Sequence, residues 1–406
     1  MTPVRPLWKG RAIAILGIVL LAFSLRSAVA SLSPLILQID REFEVPAVAI
    51  GLLGAAPPAC YAVFGILTPG LERRFGPQRL AVGALIVLVI GLGARGFVGD
   101  VVGLLGATAL VFGAVGVGNI LMPPLVKAYF PDRLGLMTTV YSTTMAAATF
   151  IPPLVAVPVA DATSWRFALA VWAIPAVVAV VPWTALAVRS RAEDAGALVD
   201  QRPPVLGRLF RLPLAWAITG AFAASATLAY SSFMWLPTIL HDIAGASAAQ
   251  AGALLSLFAA IGLPVSLVVP TLIARFHLVR TLFVVAAAVG VIGIGGLLIA
   301  PATATWLWVS IFGVTALLFP LVLTLLGMRA RTHGAAVALS GFVQSIGYAI
   351  AAFFPIMIGL LHDATGEWTA SLCVLAGVAV AALPAGLVAA RRSTVEAEWE
   401  RRHGSW

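Results

Sequence analysis

Charge is what this sequence has least of. Only 10% of its 406 residues are Asp, Glu, Lys or Arg, against 61% hydrophobic, and the mean hydropathy is +1.05. A water-exposed surface on a chain of this length needs far more charge, so a soluble globular protein is excluded. Cysteine is nearly missing. Cys60 and Cys373 both fall inside apolar runs, which leaves no disulfide framework and no metal-ligand cluster. Carboxylates and imidazoles avoid the middles of those runs. Every Asp and Glu, with His241, His277, His333, His362 and His403, maps to a predicted loop, helix edge or tail, so no intramembrane proton relay is evident. There is no hydrolytic triad, and no connection is long enough for a soluble catalytic domain. Neither an enzyme nor a cofactor or metal is expected.

What the chain has instead is apolar length. Runs able to span a hydrocarbon core of about 30 Å recur twelve times, at 12–38, 47–69, 80–97, 101–128, 134–160, 166–188, 212–240, 248–274, 279–300, 304–328, 335–361 and 368–390. The expected fold class is an all-α polytopic membrane protein with twelve transmembrane helices. The first run follows Arg5, Lys9 and Arg11 but far exceeds the apolar core of a signal peptide, so it reads as a retained helix.

The formal net charge of +9 is explained by where the charges lie. With a cytoplasmic N-terminus, 21 of the 25 Lys and Arg residues fall on the cytoplasmic side, while the 16 acids divide evenly between the two sides. Arg41, Arg95 and Arg166 take the other side. This is the positive-inside asymmetry, carried by Lys and Arg alone. Both termini are predicted cytoplasmic, in a cytoplasmic membrane, and the basic balance implies no nucleic-acid partner.

The chain also repeats itself at an offset of about 200 residues. SPLILQID (33–40) matches LPTILHDI (236–243), and TPGLERRFGPQRL (68–80) matches VPTLIARFHLVRTL (269–282). Further on, MPPLV (122–126) matches LFPLV (318–322), and DATSW (161–165) matches DATGEW (363–368). Six helices per copy is an even number, so the two copies enter the membrane in the same direction. Transporters with a substrate site between two parallel six-helix repeats are built this way. The predicted organisation is an N-terminal bundle over 1–188, a cytoplasmic linker over 189–211 and a C-terminal bundle with a short tail over 212–406.

On these features the chain resembles the major facilitator superfamily over essentially its whole length. The superfamily's loop between helices 2 and 3 reads Gly-x-x-x-Asp-Arg-x-Gly-x-Arg; here the stretch is PGLERRFGPQR (69–79). Arg74 and Gly76 fit, Arg79 stands one position past the motif's last Arg, Pro69 replaces the Gly, Arg73 replaces the Asp, and Glu72 is the nearest acid. Leu25-Arg26 followed by Pro34-Leu35, GVGNILMPPLVKAYF (116–130), WAIPAVVAVVPW (172–183) and Tyr230…Trp235-Leu236-Pro237 resemble the cyanate and 2-nitroimidazole transporter branch. That branch usually has Asn before the Leu-Arg or Met-Arg pair, where this chain has Ser24. The resemblance implies a secondary transporter moving a small anion such as cyanate. The alternative it implies is an exporter of heteroaromatics such as 2-nitroimidazole.

Arg26 is the residue that most needs explaining. It is the one charge in LLAFSLRSAVASLSPLI (20–36), close to its middle. An Arg at the centre of a lone helix costs about 2.5–3.5 kcal/mol on insertion scales, so it should face protein, water or a counter-charge. It either braces helix 1 on backbone carbonyls or offers its fork of donors to an anion. Asn119, among glycines on helix 4, is the next candidate ligand, and Lys127 guides anions at the inner mouth or snorkels to the interface. Helices 1, 4, 7 and 10 line the superfamily's cavity, which places Tyr230 opposite Arg26. Trp235, the helix 11 stripe of Ser340, Gln344 and Tyr348, and Tyr141 on helix 5 complete the candidates. Expected partners are the substrate, the lipid bilayer and a co-transported proton, and the expected state is a monomer.

Overall fold

The computed structural model describes residues 11–190 and 206–404. Most of the predicted linker lies outside the described residues, as do Arg5, Lys9, Arg191 and Arg202. Among the described residues twelve helices are long and apolar enough to cross a membrane. They are α1 (Ala12–Asp40), α2 (Ala47–Phe75), α3 (Pro77–Arg95), α4 (Val101–Tyr129), α5 (Leu134–Ala162) and α6 (Trp165–Arg189). Then follow α7 (Pro213–Ala244), α8 (Ala248–Phe276), α9 (Val279–Ile299), α10 (Thr305–Met328), α11 (His333–Thr365) and α12 (Thr369–Ala389). A short thirteenth helix, α13 (Val395–His403), follows the last span.

Local chemistry sets the helix ends. Asp100 caps α4 by accepting from Gly103 N at 2.6 Å, and Ser247 with Gln250 forms a reciprocal capping box on α8. Inside α1 the α-helix stops at Ala30 and resumes at Ile36 after a tight turn over Ser33–Leu35. Pro34 is the cause: it has no N–H to give the carbonyl four residues back. Prolines deeper in spans, such as Pro123-Pro124 in α4, leave the helix running.

By compactness the chain forms two units. The first holds residues up to Val45 and Val63–Leu198; the second holds Pro46–Ala62 and everything from Val199. The first part of α2 therefore groups with α7–α13, although the repeat assigns it to the first half. In the second unit a Cβ on Gly51 would stand 2.7 Å from Ile356 Cα, and one on Gly359 would stand 2.7 Å from Ala47 O. Only glycine permits backbone approaches this close.

Each unit repeats the other's internal contacts. In the first, α1 packs on α5 and α6, and α3 on α4 and α6; in the second, α7 packs on α11 and α12, and α9 on α10 and α12. The correspondence reaches single residues. A Cβ on Gly91 would lie 2.8 Å from Val111, and a Cβ on Gly293 would lie 2.6 Å from Phe312. The aligned pair Gly76 and His277 both have positive φ, 78° and 54°, each just after an Arg-Phe pair whose guanidinium covers the ring.

In the second unit α13 fastens several spans together. Glu396 Oε1 accepts from Arg331 N at 2.8 Å, Thr332 N at 2.9 Å and Thr332 Oγ1 at 3.2 Å, at the start of α11. Glu398 Oε2 accepts from Leu214 N at 3.1 Å in the first turn of α7. Arg329, after α10, donates to Ala389 O and Ala390 O at the end of α12. Carboxylates meet helix N-termini and a guanidinium meets a C-terminus, the favourable sense for both dipoles.

Candidate functional site

In the first unit, the close approach of α1 and α4 organises the candidate residues. A Cβ on Gly118 would lie 2.5 Å from Leu25 Cδ2, so α4 needs glycine there. Arg26 and Asn119 are the residues immediately after this contact, and both are half-buried. The small residues around Arg26 are committed to α1 itself: Ser24 Oγ donates to Leu20 O at 2.8 Å, and Ser27 Oγ donates to Ser24 O at 3.4 Å. Arg26 and Asn119 are the longer polar side chains next to this contact on the two helices. Tyr141 on α5 is half-buried in the same unit, and Lys127, in the last turn of α4, is exposed.

A second guanidinium in this unit was not anticipated. Arg95, expected on the outer side near the end of the run 80–97, is the last residue of α3 and is fully buried. Its Nη1 donates to Ala28 O at 2.9 Å, its Nε to Thr108 Oγ1 at 3.2 Å, and its head lies 5.1 Å from the Phe112 ring centroid. Ala28 is two residues beyond Arg26, just before the break in α1. Arg95 therefore supports that break by taking up a carbonyl and ties α1 to α3 and α4.

The second unit holds the other aromatic candidates. Tyr230 on α7 and Tyr348 on α11 have ring centroids 6.1 Å apart. Tyr61, from the part of α2 that belongs to this unit, joins both, at 6.0 Å from Tyr230 and 5.2 Å from Tyr348. All three contacts are edge-to-face, the arrangement aromatic quadrupoles prefer. Three of the chain's five tyrosines thus meet, each less than a tenth exposed. Tyr61 was missed in the sequence because the repeat places α2 in the other half. The signal available was a polar-tipped ring within PACYAVF (58–64).

Two candidates are tied into helix packing. Gln344 Nε2 donates to Ser340 Oγ at 2.7 Å on its own helix. Trp235 is 1% exposed and its Nε1 donates to Pro355 O at 2.9 Å, so it joins α7 to α11. In the loop between α2 and α3, Gly76 takes φ 78° and its N–H donates to Glu72 O at 2.8 Å. The Glu72 side chain is half-buried, while Arg73, Arg74 and Arg79 are exposed.

The comparisons agree with this architecture. The family profile described as Major Facilitator Superfamily matches residues 16–352. The chain is 33% identical over 382 residues to the uncharacterised transporter YycB of Bacillus subtilis, covering 93% of each. It is 32% identical over 377 residues to the 2-nitroimidazole transporter of Escherichia coli, covering 92% of this chain and 94% of that one. The cyanate transport protein CynX of Escherichia coli is 28% identical over 367 residues, covering 87% and 91%. Among solved structures, the nucleoside transporter NupG superposes with a TM-score of 0.75 at 11% identity, covering 93% of this chain and 98% of that one, a likeness of fold alone.

Proposed function

The chain belongs to the major facilitator superfamily, as a multi-pass membrane transporter, and from that premise we propose that it moves a small anion of the cyanate type by alternating access. The observation that supports this reading is that Arg26 and Asn119, both half-buried, are sequence neighbours of the Leu25–Gly118 contact between two spans. A guanidinium offers an anion a planar fork of charge-assisted donors, and an amide adds a neutral donor without a competing charge. The similarity to a protein named for cyanate transport agrees with that chemistry.

In this reading Arg26 and Asn119 are the anion ligands of the first unit. Tyr230 and Tyr348 are the aromatic ligands of the second, with Gln344, Tyr141 and Trp235 supporting the site. Glu72, Arg73, Arg74, Gly76, Arg79 and Lys127 belong to gating at the cytoplasmic face, where both termini lie. The protein works as a monomer in a cytoplasmic membrane, and a proton crosses on the anion as its neutral acid. Such coupling needs no carboxylate or histidine inside a span.

The tyrosine cluster favours a second reading, export of a flat nitro-heteroaromatic. Rings of this kind stack on or meet the edges of aromatic side chains, and a nitro group accepts from guanidinium. Proteoliposome counterflow with radiolabelled cyanate tests the first reading, and saturable uptake is expected. Absence of cyanate counterflow, with protection of cells against 2-nitroimidazole, would replace it with the second.

A further inference from the structure

α1 breaks and α7 does not, although both carry a proline at the aligned position. Pro34 has no N–H to offer the Ala30 carbonyl, and the first segment of α1 ends at Ala30. Pro237 aligns with Pro34 in the repeat, yet α7 runs as one helix from Pro213 to Ala244. The proline opens the backbone ladder of α1, and a second feature keeps it open.

That feature is Arg95. Ala28 is among the last four residues before the break, whose carbonyls the helix cannot satisfy itself. Arg95 Nη1 donates to Ala28 O at 2.9 Å, which sets a cation at a helix C-terminus. From α4, Thr108 Oγ1 accepts from Nε at 3.2 Å, and the Phe112 ring centroid lies 5.1 Å from the guanidinium. The second half has no such group. The aligned end of α9 is Gly296-Leu297, which carries no side-chain donor. The residues at the break differ in the same sense: Ser31 and Ser33 align with Met234 and Leu236.

Stability does not explain the arrangement. Arg95 Nη2, Ser31 Oγ and Ser33 Oγ are buried with no hydrogen-bond partner among the described residues. Unmet buried polar groups oppose folding, and a conformation kept in spite of them marks a functional constraint. Beyond the break, the second segment of α1 is fastened separately. Gln38 Nε2 donates to Asp161 Oδ1 at 2.7 Å near the end of α5. Glu42 Oε2 accepts from Trp165 Nε1 at 2.8 Å and from Arg166 Nη1 at 2.6 Å at the start of α6. Arg26 stands on the first segment, two residues before Ala28, so its place depends on what holds the end of that segment.

We infer that Arg95 is a positioning residue for the anion site: by holding Ala28 O it keeps α1 broken and fixes the turn that carries Arg26. This rests on the reading of Arg26 as an anion ligand. Arg95 is fully buried and acts only through Arg26. Without it, the Leu32 N–H returns to Ala28 O, α1 closes as α7 does, and Arg26 turns with its helix.

The test uses the full-length protein in nanodiscs, with spin labels on Leu16→Cys and Arg41→Cys after Cys60→Ala and Cys373→Ala. Leu16 and Arg41 are exposed and lie on either side of the break. In Arg95→Leu the label distance should shift toward that of a continuous helix, which rises about 1.5 Å per residue. Arg95→Lys keeps a donor for Ala28 O and should keep the wild-type distance. Should Arg95→Leu fail to fold, Arg95→Gln, whose amide is too short for Ala28 O, takes its place with the same expectation. Cyanate affinity should fall about tenfold or more in Arg95→Leu and stay within about threefold of wild type in Arg95→Lys. In an Arg26→Lys background, Arg95→Leu should add little further loss, because its effect passes through Arg26. An unchanged distance in Arg95→Leu, a shifted distance with wild-type affinity, or additive losses in the double variant would each overturn the proposal. A shifted distance with no cyanate binding even by wild type would overturn the anion reading and the positioning role with it, leaving Arg95 as the group that holds the break.

Discussion

Leu25 and Gly118 meet so closely that a single added carbon on Gly118 would stand 2.5 Å from Leu25 Cδ2. Leu25 is 1% exposed and has little room to turn aside. Gly118→Ala should therefore force α1 and α4 apart and cost about 1–3 kcal/mol, the usual penalty for overpacking. Because Arg26 and Asn119 follow the contact directly, anion affinity should fall with it. Adding Leu25→Ala should restore affinity in the double variant; failure to do so would show that this contact does not position the pair.

Glu42 links pH to the stability of the first unit. Hydrogen bonds from Arg166 and Trp165, and the charge of Arg166, hold its carboxyl below the usual glutamate range. A carboxyl lowered on folding stabilises fully above its unfolded pKa and loses that contribution as pH falls through the folded value. Thermal unfolding followed from neutral to acid pH should show a smaller loss for Glu42→Gln than for wild type below the ordinary carboxylate range. Parallel curves would remove Glu42 from the account.

Much of the architecture was legible in the sequence because length and hydropathy alone decide a membrane span. The twelve predicted runs match the twelve helices to within a few residues at nearly every end. Arg95 was not legible as a buried group: a charge at the edge of an apolar run reads like any loop charge. Only the fold brings Ala28 O and Thr108 to it. Tyr61 was hidden for a different reason. A repeat in sequence describes ancestry of the halves, whereas compactness groups the first part of α2 with the second unit. Arg26 and Asn119 were legible as polar exceptions in apolar runs, but not the glycine that brings their helices together.

The repeat makes opposite predictions at two aligned turns. Gly76 has φ 78° with ψ 153°, a backbone region essentially confined to glycine, so Gly76→Ala should cost about 1–3 kcal/mol. His277 holds the left-handed φ 54°, ψ 30° with a Cβ, is exposed, and already bears left-handed strain. His277→Gly should be neutral or stabilising by up to about 1 kcal/mol. Chemical denaturation of the two variants in one detergent checks both signs.

Glu396 is 2% exposed and caps the start of α11 with one oxygen that accepts three hydrogen bonds. Glu396→Ala leaves two backbone N–H groups without that acceptor and should cost about 1–3 kcal/mol. Glu400→Ala removes only an exposed pair with Arg331 and should change stability by less than about 1 kcal/mol. Equal effects in thermal unfolding would deny the tail helix its capping role.

The central claim is that Arg26 binds the transported anion, and equilibrium binding of cyanate to purified wild type and Arg26→Lys tests it most directly. The account predicts saturable binding to wild type and a loss of about tenfold or more in the variant, because a point charge does not reproduce a planar fork. Thermal unfolding without ligand should stay close to wild type. Unchanged cyanate affinity in Arg26→Lys, or a variant that loses stability while binding normally, would contradict the claim and leave Arg26 as a brace for α1.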